Sequence, residues 1–458
     1  VLQFHGVVPA GLDPTVMRPD GAGLVDSAHL EAQGLALLGS LVPGAVAGWQ
    51  ELLARKGTWT LARVLQRPIA LARDGFAVSE LLAAAVARSL GRLARWPEST
   101  ALLAPGGVPV QPGDRLVQAD LGATLQRIAA HGAGELVDGE TAGALVQFYR
   151  DNGGVLSMAD LAAYRPTWHN PLVTSYRGHI VHAAPAPLGD AAFVSGLQVL
   201  DRFGPFRGWD DPAYVHTSVE AAKLVAAERA HLLGYDTDRA TIDRLLGAEH
   251  VEELRGRIHP LASRVPTAGR RAEDTITLAV VDRDGNAVHL MQTVGSLFGT
   301  GAIAGSTGLF TNSSLYFVYV TGGANRIVPG QPVEQNPCVN MVFDAGGALK
   351  LVAGSPGGKT RVETVRQMLT NVLDFGMNLQ QAVDAPRFLT ASDGLTIDFE
   401  SLYGPVAPAL RHPLEAYGHR LRLVDERFGT GQAVAVDAAS GTRFAAADWR
   451  AESVALAY

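Results

Sequence analysis

Asp274 and Thr275 lie where an irregular polar stretch gives way to an apolar strand pattern. A threonine hydroxyl is a weak nucleophile unless a base sits beside it. If the peptide bond before Thr275 is cut, the residue's own α-amine becomes that base. The preceding residues 261–273 (LASRVPTAGRRAE) carry Pro, Gly and Arg-Arg without apolar periodicity, as an exposed, cleavable segment does. Threonine is also common at strand starts, so this residue alone admits a purely structural reading.

A second constellation is GSPGG at 354–358, between a strand pattern and a helix pattern. Glycines there let backbone N–H groups approach an anionic centre, and the helix N-terminus adds positive potential. These are the ingredients of an oxyanion hole, or simply of a tight strand-to-helix turn. The overlapping stretch AGSPGGKT at 353–360 also nearly matches a P-loop, with Lys359 as its lysine and Ala in place of the first Gly. LRLVDE at 421–426 offers the acid-ended strand that a nucleotide site wants. Against this rival, Pro356 removes one N–H from the cradle, and the 421–426 strand alternates with Arg instead of being uniformly apolar. The histidines form no set. His179 and His182 flank an alternating, strand-like stretch, and His289 reads as a packed or exposed strand residue. There is no HExxH and no G-x-S-x-G elbow.

The elements that would position these residues follow from pattern. Residues 81–93, 120–131, 140–152 and 213–233 have helical periodicity, and Ser157 before Asp160 starts another helix that ends near Tyr164, ahead of Pro166. On the 213–233 helix, Glu220, Lys223, Glu228 and Arg229 read as a solvated face, as do Asp210-Asp211 and Glu252-Glu253. Residues 275–282 and 287–293 are strands joined by RDGN, whose Asp-Gly is a hairpin signal. Further strands are expected at 349–353, 420–425 and 433–437, with a helix over about 361–375. Helices with short antiparallel hairpins indicate an α+β protein of layered helix and sheet.

Composition bounds the function. Of 458 residues, 47% are hydrophobic and 18% charged, which fits a large buried core. The net charge of −7 carries no basic nucleic-acid footprint. One cysteine, Cys338, permits no intrachain disulfide and argues against a cysteine metal site. No run of about 18 apolar residues predicts a membrane span, and no signal-peptide pattern opens the chain.

The ordered motifs resemble the gamma-glutamyltranspeptidase family. TITLAVVDRDGN at 275–286 resembles the stretch around that family's nucleophilic threonine. FGTG at 298–301, LVAGSPGG at 351–358, Gly376-Met377 and APRF at 385–388 follow in family order. Upstream, PGAVAG (43–48), LARDGF (71–76), DLAAY (160–164) and Tyr176-Arg177-Gly178 do the same. The resemblance covers nearly the whole chain and implies a four-layer αββα Ntn-hydrolase sandwich with antiparallel sheets. It implies a precursor that cuts itself between Asp274 and Thr275 into 1–274 and 275–458, two pieces of one fold that stay together as a heterodimer. Thr275 would attack an acyl amide, small molecule or peptide, with Gly357 and Gly358 as oxyanion donors and Thr293 supporting the nucleophile. Water or an amine would accept the acyl group, and no cofactor or metal is implied. A non-catalytic homologue is the remaining alternative. Family members are often exported, and the family's Gly-rich opening segment falls before Val1.

The substrate clamp departs from the family pattern. His5 stands where an arginine holds the glutamyl α-carboxylate. Glu334-Gln335 replaces a Ser-Ser pair, and Gly295, Ser314 and about Phe317 stand where Asn, Gln and Asp hold the α-amine. Each lost charged hydrogen bond costs on the order of 1.5–3 kcal/mol of recognition. The resemblance at the pocket is therefore to amidases and acylases that take other acyl groups, with 313–320 (SSLYFVYV) as an apolar, aromatic wall.

Overall fold

The computed structural model describes residues 1–186, 190–267, 274–320, 324–335 and 337–457, and the side chains of residues 230, 231, 274 and 359 lie outside that description. These residues form two compact units. The first comprises Val1–His169, Gln292–Thr321 and Arg326–Val333, and the second Asn170–Met291, Gly322–Asn325 and Glu334–Tyr458.

The first unit is mainly helical, with helices at Ala45–Lys56, Leu61–Asp74, Glu80–Leu93, Ala119–His131, Glu140–Asp151 and Met158–Ala163. Their starts follow side-chain chemistry. Ser79 accepts from the Leu82 N–H, and Ser157 and Asp160 form a reciprocal capping box, each cap contributing about 1 kcal/mol. Asn312 acts as a backbone substitute. Its Oδ1 accepts from the Leu41 N–H at 2.9 Å and its Nδ2 donates to Leu41 O at 2.8 Å. This clamp seats the 313–320 stretch inward. Leu315, Tyr316 and Val318 are buried in a core with Val8, Val25 and Leu38, and the Tyr316 hydroxyl donates to Ala36 O at 3.1 Å. Most of the expected aromatic wall is therefore core, because continuous apolar runs are easier to bury than to expose.

In the second unit we number strands and helices in chain order: β1 (Leu172–Tyr176), β2 (His179–Ala183), α1 (Asp190–Leu200), α2 (Pro212–Leu232), β3 (Asp274–Val281), β4 (Ala287–Gly295), β5 (Asn340–Phe343), β6 (Leu349–Gly354), α3 (Arg361–Leu373), β7 (Phe388–Thr390), β8 (Thr396–Glu400), β9 (Arg420–Val424), β10 (Gln432–Val436) and β11 (Arg443–Ala447). β4 passes into the first unit from Gln292 onward. Six strands make one sheet in the order β11-β10-β6-β5-β2-β1, every pair antiparallel. A smaller sheet pairs β7 with β8 antiparallel and β8 with β9 parallel.

Side-chain alternation sets the layers. Leu351 and Ala353 of β6 join Phe193 and Leu197 of α1 and Val365 and Leu369 of α3 in one core. Gly354 faces the opposite side, where a Cβ would collide with Thr277 Oγ1 and His289 Nε2. Helices, six-stranded sheet and the β3–β4 hairpin thus stack in that order, as the α+β reading requires. The hairpin turn is held by Asp282, whose carboxylate accepts from the Asp284 and Asn286 N–H groups at 2.9 and 2.8 Å, with Gly285 at φ +86°.

Two charged patterns differ from expectation. On α2, Glu220 and Lys223 are 1% and 0% exposed. They form an ion pair at 2.5 Å instead of a solvated face. Asp211 is likewise buried, as the N-cap that accepts from the Ala213 N–H.

Candidate active site

Strand period places Thr275, Thr277 and Ala279 on one face of β3 and Ile276, Leu278 and Val280 on the other. Thr275 and Thr277 are buried, whereas Ile276 and Val280 are exposed. A buried hydroxyl on a strand pressed against a sheet needs partners. Thr275 Oγ1 accepts from Arg361 Nη2 at 3.4 Å. For Thr277, the tautomer that gives the Asn340 N–H its acceptor has His289 Nδ1 accepting from that N–H at 3.1 Å and His289 Nε2–H donating to Thr277 Oγ1 at 3.1 Å. The Thr277 hydroxyl then donates to Leu290 O at 3.3 Å. Burial pushes the His289 pKa down to about 4, so the ring is neutral near pH 7. Of the two readings its pattern left open, packed or exposed, the structure has His289 packed against Thr277 and Asn340.

The glycine loop adjoins this face. Ser355 is fully buried. Its hydroxyl donates to Pro356 O at 2.7 Å and accepts from the Thr430 N–H at 3.1 Å. Gly357 has φ +130° and Gly358 has φ +59°, conformations that a side chain would strain. Thr360 Oγ1 donates to Gly357 O at 2.6 Å and fixes the turn. Among the described residues, no acceptor takes the Gly357 or Gly358 N–H, as expected for the first donors of a helical turn. Both are thus available to an oxyanion. A P-loop would sit in a parallel sheet, but β6 lies between two antiparallel neighbours. Asp190, fully buried at the start of α1, accepts from the Cys338 and Ala184 N–H groups at 2.8 and 3.1 Å, and burial raises its pKa to about 7. The buried Cys338 thiol is pushed well up by the same desolvation, so it is no nucleophile.

The expected substrate residues divide. His5 Nε2–H donates to Val333 O at 3.0 Å and its Nδ1 accepts from Gln3 Nε2 at 3.1 Å. Burial lowers its pKa to about 4. A neutral ring with both nitrogens occupied cannot replace a carboxylate-binding arginine. Glu334 is buried in a bidentate pair with Arg229, at 2.8 and 2.9 Å, and is equally committed. Gln335 is half-buried. In the first unit, Thr293 is exposed and its Oγ1 accepts from the Gly295 N–H at 2.9 Å. Gly295 has φ +90° against Ser313, the Ser314 N–H donates to Asn312 Oδ1 at 3.2 Å, and Phe317 packs on the core. Residues 268–273 of the expected cleavable segment lie outside the described residues, as does the Lys359 side chain. Arg361 and Asp190 were missed by sequence reasoning, since neither belongs to a motif and Arg361 is 86 residues from Thr275.

One group of described residues has metal-ligand spacing. His216, Glu220 and His419 present ligand atoms within 4.8 Å of one another, all buried. However, His216 Nε2 donates to His259 O at 2.8 Å, so its Nδ1 accepts from His419 Nε2–H at 2.8 Å. The Lys223 ammonium already sits on Glu220. The cation of this cluster is a protein side chain.

The family model for gamma-glutamyltranspeptidase matches residues 1–458. This chain belongs to the gamma-glutamyltranspeptidase family. It is 34% identical over 423 residues to the acylase ACY 1 proenzyme of Pseudomonas sp. (strain SE83), covering 91% of this chain and 75% of that protein. It is 32% identical over 424 residues to the glutathione hydrolase proenzyme of Escherichia coli (strain K12), covering 87% and 72%. The crystal structure of cephalosporin acylase from Bacillus halodurans matches with a TM-score of 0.87 at 25% identity, covering 100% of this chain and 84% of that one. The fold is the Ntn-hydrolase sandwich, and as a gamma-glutamyltranspeptidase-family member this chain is an amide-bond hydrolase or acyltransferase.

Proposed function

We propose that Thr275 is the nucleophile, freed by cleavage after Asp274, and that the enzyme takes acyl amides lacking the α-amino and α-carboxylate groups of a free γ-glutamyl donor. The proenzyme names of the relatives support maturation by cutting. The observation that carries the nucleophile is Thr275 Oγ1, buried at the start of β3 and held by Arg361. The cut would leave 1–274 and 275–458 as partners in one fold.

Catalysis then runs as follows. The Thr275 Oγ–H gives its proton to the Thr275 amine as oxygen attacks the amide carbon. Negative charge on the former carbonyl oxygen is met by the Gly357 and Gly358 N–H groups. The C–N bond breaks and the ammonium passes its proton to the leaving amine. Water, or an amine acceptor, attacks the ester, and Thr275 is restored. Thr293 matches a second threonine that supports the nucleophile in the family. The acyl preference rests on His5 being neutral and on Glu334 being committed to Arg229, which removes the charged clamp. The acylase name of one relative points the same way.

N-terminal sequencing of the purified protein tests the first part: a chain starting Thr275-Ile276-Thr277 is expected, with Thr275→Ala remaining a single uncut chain. Uncut wild type that hydrolyses amides would sink it. For the second part, kcat/KM on uncharged aliphatic acyl anilides should exceed that on the γ-glutamyl anilide by at least about 10-fold, one lost charged hydrogen bond being worth that much. The reverse order would refute the acyl assignment.

A further inference from the structure

Resting on the reading of Thr275 as nucleophile, we propose that Arg361 is a positioning residue for it, orienting the hydroxyl and keeping the freed Thr275 amine unprotonated by its charge. Arg361 opens α3 immediately after the glycine loop and is 3% exposed. Its guanidinium reaches both strands of the hairpin, with Nη2 donating to Thr275 Oγ1 and Nη1 to Met291 Sδ, each at 3.4 Å. Arg361 is buried, and it sits at a helix N-terminus, where the macrodipole disfavours a cation.

The geometry assigns the hydroxyl's orientation. Arg361 can only donate, so Thr275 Oγ must accept from it, and the Oγ–H is left to point elsewhere. In the matured enzyme the group waiting for that proton is the α-amine. A cation near an amine lowers the amine's pKa, because protonation would bring two like charges together. An α-amine with an ordinary pKa near 8 would be largely protonated, and useless as a base, at neutral pH. Arg361 corrects this. The other groups bearing on the same region are Asp190 on α1, Cys338 before β5, His289 on β4, Arg366 on α3 and the Arg229–Glu334 pair; on Asp190, Arg361 and Glu334 act oppositely. His289 is neutral and the Cys338 thiol is protonated, so Asp190 is the neighbour that opposes Arg361 as it ionises.

The test compares Arg361→Met and Arg361→Lys as matured enzymes, with kcat and KM measured from pH 5 to 10 on an acyl anilide the wild type cleaves. Arg361→Met is expected to move the acid limb of kcat/KM up by about one pH unit. It should also lower kcat roughly 10- to 100-fold with KM little changed. Arg361→Lys should keep the acid limb in place, since the charge remains, while kcat falls because the fork is lost. An unmoved acid limb in Arg361→Met overturns the proposal. If Arg361→Met does not fold or mature, Arg361→Lys decides: wild-type kcat in that variant overturns it, and lowered kcat with an unmoved limb supports it. N-terminal sequencing of wild type keeps the two readings apart. A Thr275 start with an unmoved limb removes only the role of Arg361, whereas an active chain without that start removes both.

Discussion

His289 shows how one packed, partly buried ring makes folding sensitive to acid. Its pKa falls from 6.5 to about 4 because burial penalises the charged form. The unfolded chain therefore binds a proton between these values that the folded chain refuses. Stability from this group is full above about pH 6.5 and is lost as pH falls toward 4, by on the order of 3 kcal/mol for a shift of this size. His5 and His419 are depressed to the same value and act in the same window. Thermal unfolding followed from pH 7 to 4.5 should show a steep fall in Tm, and His289→Gln should make it shallower by its share. An equal slope in the variant would mean that the ring is not held neutral. None of this was legible from sequence, where His289 is one residue in an alternating strand. What was legible was the family, because motifs in fixed order give residues a meaning that their types alone do not.

Among the elements, the hairpin and its turn were readable because strand period and Asp-Gly turn chemistry are local. α1 was not, since Ala191, Phe193, Val194, Leu197 and Leu200 leave no polar face and the helix is buried all round. α2 misled for the opposite reason: its charges have helical spacing but point inward. Lys223 Nζ donates to Glu220 Oε1 and, at 3.1 Å, to Ser263 O, while Ser263 donates to Glu220 Oε2 through both its hydroxyl and its N–H. The cluster thus ties α2 to the stretch that leads toward Thr275. Removing one partner leaves the other charge buried and unpaired. Lys223→Met should therefore destabilise by about 3–5 kcal/mol, and the double variant Glu220→Gln/Lys223→Met should recover part of that loss. Denaturant unfolding of the two single variants, the double variant and wild type measures the coupling. Additive losses would show that the two charges do not depend on each other.

At the scale of the whole molecule, a cut before Thr275 does not fall at a structural boundary. The large piece, 1–274, contributes β1, β2, α1 and α2 to the second unit, and the small piece, 275–458, contributes β5, β6, β10 and β11. These strands share one sheet: β2 pairs with β5 through Ile180–Phe343, Val181–Val342, His182–Met341 and Ala183–Asn340. The same core joins Val181, Phe193 and Leu197 from one piece to Val342, Leu351 and Val365 from the other. Separating the pieces would expose a sheet edge on each and return buried apolar surface to water at about 25 cal/mol per Å², so cleavage changes the chain's connectivity and leaves its packing. The matured protein should run as two bands on a denaturing gel yet elute under native conditions as one species near 48.2 kDa or a multiple of it. Val181→Asp, placed where the two pieces meet, should weaken that association. Separate native elution of the two pieces from wild type would show that the shared sheet does not hold them.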